Sequence, residues 1–265
     1  MAPVRYHVGR GGATLPKRPG RSAHRRWGAE LPGSGTSACL LGHSGTGQHL
    51  AATLQPRYNG AMALNLDPTL YPHLARYLDA VPGGLQAHPQ CKTTSDFTLR
   101  TRQDATEALA AATLPAPVRE RLVAPWEPGE WIPTTNNVML MLLMRDRVVR
   151  DDAAFWRYNL DRASEVFRQP LYKALMFVLS PSLMVLGAAK RWGKFHQGTE
   201  LVSRDISRQS AKLEVRFPEH LFPELWLGGT SAAFCAAVAC AGAAAPAARL
   251  HDVSPTGASF DLTWT

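Results

Sequence analysis

Lys212-Leu-Glu-Val-Arg-Phe217 and Ala258-Ser-Phe-Asp-Leu-Thr-Trp264 decide the fold. In the first stretch Leu213, Val215 and Phe217 alternate with Lys212, Glu214 and Arg216; in the second, Ala258, Phe260, Leu262 and Trp264 alternate with Ser259, Asp261 and Thr263. A period of two sends successive side chains to opposite faces, so both stretches predict strands with one buried and one wet face. Each has a partner pattern just upstream, at 199–206 and 247–253, and Ser254-Pro-Thr-Gly257 carries tight-turn chemistry. Between the hairpins, 229–241 is rich in small residues and helical, with Phe234 and Val238 one turn apart and Gly242 placed to stop it. The order β-β-α-β-β implies a mainly antiparallel sheet crossed closely by that helix.

Upstream the period changes to 3.6. Asp67-Pro68 reads as an N-cap acid with proline in the first turn, followed by Leu70, Leu74, Tyr77, Leu78 and Val81 on one face. A second helix is predicted over 95–112 and a short third over 115–123. The segment 126–133 forms a turn whose tryptophans, Trp126 and Trp131, act as packing lids. The apolar run Val138 to Met144 predicts a central helix. Asp151-Asp152 opens the next, lined by Trp156, Leu160, Ala163 and Phe167, and Pro170 starts another. Ser180-Pro181 opens a last one carrying Met184, Ala188, Trp192 and Phe195. The predicted class is α+β: an N-terminal helical layer packed on a small antiparallel sheet, in a single domain over 62–265.

The 265 residues carry 29 Lys+Arg against 21 Asp+Glu, but the excess is local. Residues 1–61 hold eight of the basic residues and one acid, Glu30, along with 11 of the 21 glycines. The nearly neutral remainder lacks the field that drives non-specific nucleic-acid binding, so no nucleic-acid partner is expected for 62–265. Three readings fit 1–61: a basic arm, a targeting peptide, or an upstream reading of a GC-rich gene with the start at Met62. No apolar core of a secretory signal is present, and patterning begins only near Met62, which favours a disordered, Gly/Arg-rich mis-start.

Several chemistries are excluded by spacing. Gly42-His-Ser-Gly-Thr-Gly47 has Thr46 where a nucleophile elbow needs glycine, and Gln48-His49 where a P-loop needs lysine and a hydroxyl. Four cysteines without paired spacing exclude a disulfide scaffold or structural zinc; Cys235 and Cys240 stand about 140° apart around a helix. The apolar window 171–189 is broken by Lys173, Ser180, Pro181 and Ser182, so two packed helices are expected there and no transmembrane segment. A cytoplasmic location follows as the expectation.

Three stretches carry a family resemblance: Met62-Ala-Leu-Asn-Leu-Asp-Pro-Thr-Leu-Tyr71, Gly129-Glu-Trp-Ile-Pro133, and Arg191-Trp-Gly-Lys-Phe-His-Gln-Gly-Thr199 leading to a terminal strand that closes on Trp264. On these the chain resembles, over about 62–265, a paralogous family of uncharacterised myxobacterial proteins with no established activity. The helices followed by β-β-α-β-β also resemble the ligand-binding fold of 4-vinyl-reductase-type and haem–nitric-oxide-binding domains, which are small-molecule sensors or binding modules. The haem version uses Tyr-x-Ser-x-Arg for the propionates and an upstream histidine on the iron. Here Tyr158-Asn-Leu-Asp-Arg162 puts Leu160 at the serine position, and no histidine lies between His88 and His196. No haem, other cofactor or metal is therefore expected.

Catalysis needs a base, an orienting group and a charge stabiliser in one place. The best candidate cluster is Lys190, Arg191, Lys194 and His196 around Trp192, which could take a phosphate or carboxylate at the end of an apolar pocket. The same cations equally suit the last turn of a helix. His251-Asp252 is expected to point to opposite faces of a strand, and His220, between Pro218 and Pro223, to be a surface turn residue. The leading functional reading is a non-enzymatic binding or regulatory module with an apolar cleft for a small apolar or anionic ligand. The alternatives are a homodimer or interaction scaffold without a pocket, and an enzyme using His196 with its basic neighbours.

Overall fold

A computed structural model describes residues 5–7, 64–169 and 180–265. The helix expected from Pro170 and the whole segment 8–61 lie outside the described residues. The chain is α+β with antiparallel sheets. After strand β1 (Arg5–His7) come helix α1 (Pro72–Ala80), strand β2 (Lys92–Thr94), helices α2 (Ser95–Asp104), α3 (Thr106–Ala111) and α4 (Ala116–Val123), and strand β3 (Trp131–Pro133). Next are α5 (Thr134–Met144), extended by a π-helical turn over Arg145–Val149, then α6 (Asp152–Phe167), α7 (Pro181–Leu186) and α8 (Ala188–Trp192). Strands β4 (His196–Gln197), β5 (Glu200–Arg204) and β6 (Ser210–Arg216), helix α9 (Glu224–Cys240), and strands β7 (Ala247–Ser254) and β8 (Gly257–Thr263) complete the described chain.

The large sheet has the order β1-β7-β8-β6-β5 and is antiparallel throughout. Its register aligns the apolar sets: Leu213 opposite Phe260, Val215 opposite Ala258 and Leu201. These side chains are buried, and Phe260 meets the Phe234 ring edge-on at 5.1 Å. The opposite face is a charge ladder, with Arg216 to Glu200 at 3.3 Å, Arg204 to Glu214 at 3.2 Å and Lys212 to Asp205 at 2.9 Å. The two hairpins and the helix between them thus stand where the alternation places them. Helix α9 begins before residue 229, at Glu224, and Gly242 at φ +92° ends the run.

The helical layer covers the apolar face. Helix α5 is buried along its whole length, from Thr134 to Met144, which is why its sequence shows a continuous apolar run and no stripe. Helix α6 is capped by Asp151, whose carboxylate accepts from Ala154 N at 2.8 Å, and α7 by Ser180 Oγ from Leu183 N at 3.4 Å. Trp126 is buried beneath the Arg102 guanidinium, 4.8 Å from the ring centroid.

Helix α1 starts four residues later than its local signal. Asp67 accepts from the N and Oγ1 of Thr69 and closes a turn, leaving Leu70 exposed. The true cap comes from far along the chain: the buried Asp146 carboxylate accepts from His73 N at 3.2 Å and Leu74 N at 3.1 Å, and bonds His73 Nδ1 at 2.6 Å. The span 95–112 is two helices, broken at Ala105, and the last helix before the strands is likewise split at Gly187 and ends at Trp192, leaving Phe195 outside it. His251 and Asp252 do face each other, with Nδ1 and Oδ2 2.6 Å apart; a bulge after His251, with Asp252 at φ +50°, breaks the strand alternation. A second sheet, β3-β2-β4, has no counterpart in the sequence pattern because its strands are only two or three residues long.

Three substitutions test this layout. Phe260→Ala is expected to cost about 3–5 kcal/mol, read as the shift in urea unfolding free energy. Asp146→Ala should cost about 2 kcal/mol or more, because two amides lose their acceptor in the interior. Asp67→Ala should leave stability within measurement error; a larger loss at Asp67 than at Asp146 would restore the local cap.

Candidate functional site

Between the helical layer and the inner face of the sheet lies a cavity of about 420 Å³. Helix α9 makes one wall with Trp226, Thr230, Ala233, Phe234 and Ala237, which recur at helical spacing. Helix α6 supplies Ala163 and Val166, α2 supplies Phe97 and Thr101, α5 supplies Met141, and the sheet closes the floor with Leu213 and Leu262. The alanines of α9 leave open space that longer side chains would fill. Polar groups on the wall mostly satisfy one another. Asn137 accepts from Trp226 Nε1 at 3.1 Å and donates to Thr98 Oγ1 at 2.8 Å, Thr230 Oγ1 donates to Trp226 O at 3.1 Å, and Asn159 Nδ2 donates to Phe155 O at 2.8 Å.

Of the cluster singled out in the sequence, Arg191, Trp192, Lys194 and His196 line the cavity; Lys190 is exposed and does not. They converge because α8 stops at Trp192 and the chain turns back, with Lys194 N bonding Arg191 O and Phe195 N bonding Trp192 O. It then enters β4, where His196 pairs with Thr93. The Trp192 and His196 rings stack at 4.0 Å, while Phe222 and Trp226 stand edge-on to the imidazole at 6.4 and 6.1 Å.

His196 keeps some accessible surface because it borders the cavity, yet protein packs around it on all sides. Its Nδ1 is buried without a hydrogen-bond partner among the described residues. Burial lowers its pKa from the ordinary 6.5 to about 3, so the ring is neutral at physiological pH. A neutral ring of such low basicity is a poor general base near pH 7. Burial also pushes the Cys235 thiol up to about 12 and raises Cys91, which keeps both protonated. Among the described residues no group of three or more His, Cys, Asp or Glu could hold a metal ion, and no helix is long and apolar enough to cross a membrane.

Sequence reasoning misses Phe97, Thr101, Asn137 and Ala233 as cavity residues. Phe97 and Thr101 are indistinguishable from core, and the available signal for Asn137 is the pair Asn136-Asn137 inside an otherwise apolar helix. The alanines of 229–241 signal close packing and say nothing of a hollow.

No family model and no curated protein matches the chain. Among solved structures, the chain is similar to a single-residue mutant of an H-NOX protein from K. algicida in its Fe(II) unliganded form, at TM-score 0.45 and 8% identity, over 65% of this chain and 96% of that one. The donor set here does not fit a haem. Leu160 stands at the serine position, Tyr158 donates its hydroxyl to Asp104 at 3.0 Å, and Arg162 pairs with Glu165 at 2.7 Å and lies 3.7 Å from Asp104.

The depressed titration of His196 has a measurable sign. Between its folded value of about 3 and the ordinary 6.5 the unfolded chain binds one proton more, so stability rises with pH across that window. As pH falls below 6.5 the protein should lose up to about 1.4 kcal/mol per pH unit from this group. His196→Met should flatten the decline in urea unfolding free energy between pH 7 and pH 4. An unchanged slope would remove the assignment.

Proposed function

We propose that the domain over 62–265 is a small-molecule binding module, not an enzyme, and that the cavity between α6, α9 and the sheet holds the ligand. The carrying observation is the cavity itself, about 420 Å³ with largely apolar walls. That volume lies within the usual range of small-molecule pockets. Close-packed interiors leave few voids larger than a water molecule. This hollow is partly open, with the exposed Arg100 and Lys194 on its border, so its apolar walls meet water that an apolar ligand would displace. Water is a poor filler, since walls of Phe97, Met141, Val166 and Phe234 offer it few partners. The absence of catalysis is supported by the low basicity of His196 and the protonated thiols.

The test is a thermal-shift panel of apolar acids, alcohols and aromatic compounds on the full chain, with Ala233→Phe as the blocked form. A true ligand at a hundredfold excess over its Kd should stabilise the protein by about 2.7 kcal/mol, roughly 5–10 °C for a domain of this size. Ala233→Phe should abolish the shift without lowering the unliganded melting temperature. No shift with any compound, or a shift that Ala233→Phe leaves undiminished, would overturn the reading.

A further inference from the structure

We propose that the ligand is an amphipathic carboxylic acid whose apolar body fills the cavity and whose carboxylate is taken by Arg191; this rests on the cavity being a ligand site. Four cationic residues border the cavity, Arg100, Arg162, Arg191 and Lys194, and no Asp or Glu does so among the described residues. Three of the four are accounted for. Arg162 is neutralised by Glu165 and Asp104, Arg100 is exposed and donates to Gln103 Oε1 at 3.2 Å, and Lys194 is exposed to water.

Arg191 differs from all of them. It is half-buried, and its Nη1 donates to the Met184 carbonyl at 2.8 Å. No carboxylate stands within ion-pair distance of it among the described residues, and the stretch 170–179 contains no Asp or Glu. Burial pulls the guanidinium below its ordinary basicity, the expected result for a cation that has lost water and gained no counter-charge. Leaving such a charge unpaired is costly, and an anion supplied from outside removes the cost.

The chemistry of that anion follows from the geometry of a single guanidinium. Its planar fork of donors matches the two oxygens of a carboxylate. One positive charge balances a monoanion, whereas a phosphate carrying nearly two charges would leave an excess beside apolar walls. The fork is also closely seated. A Cβ at Gly187 would collide with Nη1 and lie 3.0 Å from Cζ of Arg191, so the bare glycine is what lets the guanidinium rest there. Gly187 has φ −88°, so alanine would meet no backbone strain. The clash falls on the far end of a flexible side chain, and Gly187→Ala therefore moves the charge without removing it.

The experiment is calorimetric titration of the full chain with decanoate, decan-1-ol and decyl phosphate, which share one tail and differ in head group. Decanoate should bind about 10- to 100-fold more tightly than decan-1-ol, the range for a hydrogen-bonded charged group. In Arg191→Gln and in Gly187→Ala that preference should collapse while decan-1-ol binding and the unliganded melting temperature hold. Equal binding of decanoate and decan-1-ol by the wild type overturns the anchor and leaves the cavity reading standing. So does tighter binding of decyl phosphate than of decanoate, or a preference for decanoate that survives both substitutions. If none of the three binds and the thermal-shift panel is also empty, both proposals fall; if none binds and a neutral compound from the panel does, only the carboxylate falls.

Discussion

Helices α6 and α9 lie side by side because residue 229 carries no side chain. A Cβ there would sit 3.0 Å from Cγ and Nδ2 of Asn159, tighter than ordinary contact, so the amide, which donates to the Phe155 carbonyl, would have to give by a few tenths of an ångström. Two further bonds fix the helix: Trp156 Nε1 to Ser231 Oγ at 3.0 Å, and Trp226 Nε1 to Asn137 Oδ1 at 3.1 Å. Everything between the helical layer and the sheet is held at a spacing set by these contacts. The small residues of α9 accordingly do two things at once. Gly229 and Ser231 permit close approach to α6, while Ala233 and Ala237, which line the cavity, leave the space that the neighbouring bulk does not close.

The parts of the fold legible in the sequence are those whose cause is local. Strands β6 and β8 declare themselves because one face is wet, so every second residue must be polar. Ser180 and Asp151 declare helix starts because the cap and the capped amides lie three residues apart. Where the cause is distant the sequence misleads. Asp67-Pro68 has the local chemistry of a cap, but the amides of α1 are taken by Asp146, more than 70 residues away, and no reading of 67–70 could have revealed the competitor. His251-Asp252 fails for a related reason, since a bulge in a hairpin inverts one side chain without marking the composition.

The site shows the same division. Arg191, Trp192, Lys194 and His196 stand out in the sequence as cations and a histidine gathered around one tryptophan, although cations there also suit any helix end, and all four line the cavity. Phe97, Thr101 and Met141 do not stand out, because an apolar residue facing a void has the same spacing as one facing a neighbour. What separates a hollow from a core is whether the opposite wall reaches across, and that depends on the geometry of α6 against α9 rather than on either helix alone.

The small sheet has a mechanical meaning. Strand β2 runs without a linker into α2 and β3 into α5, while β4, bearing the imidazole, pairs along the opposite edge of β2. Ser95 N and Oγ are tied to the carbonyls of Glu130 and Glu127, and Thr134 N to that of Cys91. Three remote lengths of chain are thereby stitched into a keystone with no slack loop between the ring and the roots of two helices. The backbone that carries that ring is thus hydrogen-bonded directly to a strand that continues into α2.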